Sequence, residues 1–128
     1  MKKIFVLLMF ALFSASAFAD GKTLIVYFSL HKNQEHILTD ADSGARTLWH
    51  GEIQGNNAIL AQMIGGKIGG ADIMSIEVEE KYDDDRYGKV VQKAKEEQQN
   101  RARVRLKTKV NTSGYDTIIM GYPIWWKV

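Results

Sequence analysis

Thr23-Leu24-Ile25-Val26-Tyr27-Phe28-Ser29 is an apolar, partly β-branched run closed by a serine. A strand with one wet face alternates apolar and polar residues, whereas a continuous run suits a strand covered on both faces, as in a parallel sheet. Toward the C-terminus the same texture returns at Ile73-Met74-Ser75-Ile76-Glu77-Val78 and at Thr117-Ile118-Ile119-Met120-Gly121-Tyr122. Between the first two runs, Gly55-Asn56-Asn57 opens a helical pattern with Ile59, Leu60, Met63, Ile64 and Ile68 on one face and Gly69-Gly70 at its end. Asn56 or Asn57 suits the cap, and Gly65-Gly66 weakens the interior by roughly 1 kcal/mol per glycine. Before the third run, Tyr87, Val90, Val91 and Ala94 stripe a second helix. Asp83 to Asp85 stand at its start and Arg101 and Arg103 at its end, as the helix dipole favours. Strand, loop, helix, strand, helix, strand implies right-handed crossovers and a parallel α/β sheet.

Three stretches fall outside this pattern. From Leu30 to Gln54 periodicity is lost, which predicts a long irregular loop, uncommon in a compact domain unless functional. It holds all three histidines, His31, His36 and His50. Arg103 to Val110 alternates charged with mostly apolar residues and reads as a short edge strand or extended linker. Glu77 to Asp85 is acidic and reads as a solvated turn and helix start, or as a docking surface for a basic redox partner.

The first nineteen residues have a different character. Lys2 and Lys3 precede the apolar run Ile4 to Phe13, and Ala17-Phe18-Ala19 places small residues where a leader is cleaved. This is the layout of a secretory signal peptide, 1–19, followed by one domain, 20–128. The apolar run is about half the roughly 20 residues a membrane span needs. No stable membrane insertion is expected after cleavage, and the expected location is exported, in the periplasm. N-terminal sequencing of the exported form should therefore start at Asp20. Intact Met1 on a soluble cytoplasmic product would overturn that reading.

The formal charge of +2 comes from 17 basic and 15 acidic residues. Two of the basic ones, Lys2 and Lys3, leave with the leader, so the remainder is neutral. The basic balance is therefore no argument for nucleic acid, and no nucleic-acid partner is expected. The chain has no cysteine, which excludes disulfides, thiolate metal sites and cysteine nucleophiles. The histidines lack metal-ligand spacing and no metal site is expected among His31, His36, His50, Asp40, Asp42 and Glu52. Asp40-Ala41-Asp42-Ser43-Gly44 is out of register for a calcium loop. Ser29 lacks the Gly-x-Ser-x-Gly setting of a hydrolase nucleophile, and no catalytic residue is assigned.

In open parallel sheets ligands bind outside the carboxyl ends of the strands, where strand order reverses. Two groups belong at such ends. Ser29 with Gly55-Asn56-Asn57 offers a helix N-terminus that suits a phosphate, or simply caps the helix. Tyr122-Pro123-Ile124-Trp125-Trp126 offers aromatic rings to a flat ligand, or packs on a partner.

Lys22 to Ser29, Gly55-Asn56-Asn57, Gly70 to Glu77 and Tyr115 to Trp126 together resemble successive blocks of the flavodoxin-like family, in the family's order and over nearly the whole chain after the leader. The resemblance implies a doubly wound α/β parallel sheet that holds FMN noncovalently. It implies that Ser29, Gly55, Asn56 and Asn57 surround the phosphate, and that Pro123, Ile124, Trp125 and Trp126 flank the isoalloxazine. Where the family usually has threonine this chain has Asn57, and the segment between Ser29 and Gly55 is expanded. The family's glycine after Trp126 is here Lys127, and its two further strands are missing. Three functions stay open at this stage: an electron carrier with a redox partner protein, an FMN-dependent NAD(P)H reductase of quinones or similar small acceptors, and a truncated non-redox remnant.

Overall fold

The computed structural model describes residues 21–34, 46–82 and 87–124, without the side chain of Tyr87. The leader 1–19 and the pair Trp125-Trp126 lie outside the described residues. The first apolar run forms β1 (Thr23–Phe28), followed by a 3-10 turn at Leu30–Asn33. Then come β2 (Arg46–Trp49), β3 (Glu52–Gly55) and helix α1 (Asn56–Ile68). The second run forms β4 (Asp72–Ile76), helix α2 covers Tyr87–Gln99, and the third run forms β5 (Thr117–Gly121).

β1 is central: the sheet order is β4-β1-β5 with both pairings parallel. This is the mixed α/β architecture with a parallel sheet that the apolar runs predict. Leu24 to Tyr27 are all buried, as a central strand covered on two faces requires. Register places Ile25 between Ile73 and Ile119. On that face Ile25 and Tyr27 form a core cluster with Ala58 and Ala61 of α1, edged by Ile64, Ala71 and Ile119. Phe28 and Ile76 belong to the other face by the two-residue period of a strand, and they line one cavity together with Ala94 of α2. The two helices thus cover opposite faces.

α1 buries a different stripe from the one its large residues suggest. Ala58, Ile59 and Ala61 are buried, whereas Leu60 and Met63 are about half exposed (51% and 52%). The reason lies in the close approach of helix to sheet. A Cβ on Gly65 would stand 2.9 Å from Ile73 Cδ1 and 3.5 Å from Ile25 Cδ1. Small residues let the helix settle on the strands beside Ile59 and Ile64, and Leu60 and Met63 are left on its flanks. α2 follows expectation more closely, with Val90 and Ala94 buried. Its end is a Schellman-type turn, with Ala102 N–H on Glu97 O (2.8 Å), Arg101 N–H on Gln98 O (3.1 Å) and Arg101 at φ 48°.

The segment predicted as an irregular loop contains an antiparallel hairpin, β2–β3, paired from Arg46↔Gly55 to Trp49↔Glu52. Its tip is His50-Gly51, with φ of 50° and 85°. Two successive positive φ values characterise the type I′ turn, whose twist matches that of the flanking strands. Within the same segment Asn33 is completely buried. Its amide Nδ2 donates to Ser29 O (2.8 Å) and Ile76 O (3.0 Å), while Oδ1 accepts the Val78 N–H (2.8 Å). One side chain therefore ties the carboxyl end of β1 to that of β4.

The basic tract behaves as an edge segment. Leu106 pairs antiparallel with Val78, Glu79 N–H donates to Arg105 O (3.0 Å), and Lys107 N–H donates to Glu77 O (2.9 Å). Arg105–Glu79 (3.3 Å) and Lys107–Glu77 (3.6 Å) ion pairs follow the same track. Such exposed pairs contribute little stability but fix which segments lie side by side. Glu77 and Glu79, read from sequence as part of a solvated turn, stay partly exposed and also face this basic tract.

Candidate functional site

The connection from β1 to β4 runs through α1 on one face, and that from β4 to β5 through α2 on the other. The strand order therefore reverses at β1, and the crevice at its carboxyl end is where an open sheet offers a ligand site. Both groups singled out from sequence border this crevice. Ser29 follows β1 directly, Gly55 caps α1, and Tyr122-Pro123-Ile124 follows β5.

At the start of α1 no side chain caps the helix and no acidic residue occupies the first turn. Its leading N–H groups and positive dipole end are thus open to an anion. Gly55 is buried, and a Cβ there would collide with Ser29 Oγ and stand 3.1 Å from Ser29 Cβ. A side chain here would have to displace the Ser29 hydroxyl from between β1 and α1. Ser29 is 4% exposed, so its hydroxyl supports Gly55 from beneath. Asn57 turns inward as well: its Nδ2 donates to Phe28 O at 2.9 Å, clamping the helix start to the strand end. Asn56, by contrast, is exposed and its Oδ1 accepts the Thr47 hydroxyl at 2.8 Å.

Thr47 is a site residue that sequence reasoning missed. It sits on β2, in the segment read as a loop, and the hairpin brings its hydroxyl to the mouth of α1. Gln62 Nε2 to Gln54 Oε1 (2.7 Å) holds the same hairpin against the helix. The local signal was the His50-Gly51 turn between Thr47-Leu48-Trp49 and Ile53. His31 also belongs here: its Cβ lies 3.4 Å from the position a Gly55 Cβ would take, and its Nδ1 is buried without a hydrogen-bond partner among the described residues.

On the α2 face, a cavity of about 650 Å³ runs from Phe28, Ile76 and Tyr82 to Pro123 and Ile124. That volume is in the range of small-molecule pockets. Its walls are mostly apolar, with Glu97, Gln98 and Arg101 along one side. Phe28 and Tyr82 meet edge to face at 6.4 Å. Burial, and then the hydrogen bond from Tyr82 Oη to Glu97 Oε2 (3.0 Å), push the phenol well above its ordinary pKa, so it stays protonated. Of the loop after β5, Pro123 is half-buried and Ile124 is 83% exposed, while Trp125 and Trp126 lie outside the described residues.

Among the described residues no three acidic or histidine side chains converge as a metal site. Nor is any described helix long and apolar enough to cross a membrane. Compared with known protein families, curated proteins and solved structures, the chain matches none.

Proposed function

We propose that this is an exported, flavodoxin-like protein that binds FMN noncovalently and serves in electron transfer. The observation that supports the reading is an uncapped helix start that follows the carboxyl end of β1, where strand order reverses, with the loop after β5 at the same end of the parallel sheet. The residues present fit the phosphate. A Cβ at Gly55 would collide with the Ser29 hydroxyl, the first N–H groups of α1 lack a side-chain cap, and His31 keeps a buried nitrogen without a partner among the described residues close by. Backbone N–H groups of the first turn, with Asn56 and Thr47, would hold the phosphate oxygens. Ser29 and Asn57 would act behind them by fixing the helix start against β1. Where the family has threonine this chain has Asn57, and the Thr47 hydroxyl, turned from Asn56 Oδ1 to the phosphate, would supply a hydroxyl donor in its place. Pro123 and Ile124, with Trp125 and Trp126, would flank the ring and exclude water from one side. When bound, FMN supplies the redox chemistry, and the chain contributes anchoring, stacking and electrostatics.

Titration of FMN into the purified protein, followed by quenching of flavin fluorescence, tests the reading. Saturable one-to-one binding is expected, and unchanged fluorescence at high protein concentration would refute it. Thr47→Ala should weaken binding by about 1 kcal/mol, the size of one hydrogen bond. Replacing Trp125 and Trp126 together with alanine should cost about 1–3 kcal/mol if both rings stack on the flavin. Intact affinity in the double variant would move the rings to a packing role.

A further inference from the structure

We infer that the leader is cut off before β1 enters the sheet, so that the chain crosses the membrane unfolded and folds only after processing. The inference rests on the reading of residues 1–19 as a signal peptide. That reading places the cut between Ala19 and Asp20, outside the described residues. Asp20, Gly21 and Lys22 alone separate the cut from Thr23, where β1 begins. At ~3.3–3.6 Å per residue they reach ~10 Å at most.

Even that short reach is taken up by the fold. Lys22 N–H donates to Asp116 Oδ2 at 2.8 Å, and Lys22 O accepts the N–H groups of Asp116 (2.8 Å) and Thr117 (3.2 Å). Both backbone groups of Lys22 are therefore engaged. A Cβ on Gly21 would stand 3.2 Å from Asp116 Cβ, so the preceding residue also lies against this side chain. Lys22 Nζ stands 5.4 Å from the centre of the Tyr115 ring, whose hydroxyl donates to Asp72 Oδ2 at 2.7 Å. The start of β1 is thus fastened to both neighbours, to β5 through Asp116 and to β4 through Tyr115 and Asp72.

A protease takes its substrate as an extended strand running several residues to each side of the cut, and pairs with that strand's backbone itself. In the folded domain Lys22 is not free to join such a strand. Nor can β1 lend residues by opening locally. It is central, hydrogen-bonded on both sides, and Leu24 to Tyr27 are buried. Strands of this kind open with the whole domain, unlike fraying ends. A chain that folded first would therefore shield its own cut. The leader agrees with this order. Its basic residues are Lys2 and Lys3, not the paired arginines of a twin-arginine address.

Cleavage of the full-length precursor by signal peptidase in mild detergent tests the order, with circular dichroism of each substrate and N-terminal sequencing of each product. Three precursors are compared. One is the parent, and one carries a flexible Gly-Ser spacer of about eight residues between Asp20 and Gly21. The third is Ile25→Asp, in which a charge at a position 1% exposed keeps the sheet from forming. The folded parent should be cut at least about tenfold more slowly than the other two, because its cut is exposed only when the domain opens. A parent that gains structure only once it is cut would support the same order. Equal rates for the folded parent and the spacer precursor would overturn the inference and leave the leader in place. A folded spacer precursor as resistant as the parent, beside a rapidly cut Ile25→Asp chain, would also overturn it, because closeness to β1 would not be the obstacle. If none of the three is cut, the unfolded chain included, the leader reading itself fails and the inference falls with it.

Discussion

Replacing Asn33 with alanine is expected to lower the stability of the protein by on the order of 3–5 kcal/mol. The side chain is completely buried and makes three hydrogen bonds, to Ser29 O, Ile76 O and the Val78 N–H. Removing it leaves these backbone groups without that partner, at roughly 1–3 kcal/mol for each group that finds no substitute. A small domain has only about 5–15 kcal/mol to lose. Asn33→Asp separates the parts, because a carboxylate still accepts the Val78 N–H but cannot donate to the two carbonyls. It should be at least as damaging as alanine, since it also buries a charge. Urea denaturation of the parent and both variants measures the effect. A loss below about 1 kcal/mol in the alanine variant would mean that Asn33 merely fills space. The functional consequence is local: Asn33 fixes the carboxyl ends of β1 and β4, which frame the proposed phosphate site. FMN affinity should therefore fall even under conditions where the variant stays folded.

That Asn33 escaped the sequence reading while β1, α1, β4 and β5 did not has a physical reason. β1, buried on both faces, announces itself by composition because nearly every position must be apolar, and β4 and β5 carry the same apolar texture although their residues are half-buried or exposed rather than buried as the sequence suggests. A buried amide in a 3-10 turn has no such signature, since its role depends on a carbonyl at the end of a strand forty-three residues away. The hairpin β2–β3 was hidden differently. Leu48 (68%) and Ile53 (53%) are exposed, so the ladder has little apolar alternation to display, and its His50-Gly51 turn was the remaining local cue. Missing the hairpin meant missing Thr47. The site was legible where it rests on chain order: Gly55 before a helix and Tyr122-Pro123-Ile124 after a strand both border the crevice. It was not legible where side chains turn inward, as Ser29 and Asn57 do.

The packing of α1 leads to the second large effect. Ile25→Ala should cost about 3–5 kcal/mol, because Ile25 is 1% exposed, lies between Ile73 and Ile119 in the centre of the sheet, and is roofed by α1. Most of that cost comes from the cavity left behind when rigid neighbours cannot collapse into it. Gly65 makes the argument testable by rescue. In the parent, Gly65→Ala gains roughly 1 kcal/mol of helix propensity but sets its Cβ 2.9 Å from Ile73 Cδ1, so the net change should be near zero. In the Ile25→Ala background the vacated volume lies beside the same spot, since Ile25 Cδ1 is 3.5 Å from that Cβ position. Ile73 can then swing aside, and the added methyl occupies part of the void. The second substitution should return about 1–2 kcal/mol there, giving a positive coupling in a double-mutant cycle followed by urea denaturation. Additive effects would show that α1 does not press on Ile25 and Ile73 through Gly65. The glycine would then be a plain weakness of the helix, as its sequence alone suggests, and the exposure of Leu60 and Met63 would lose its explanation.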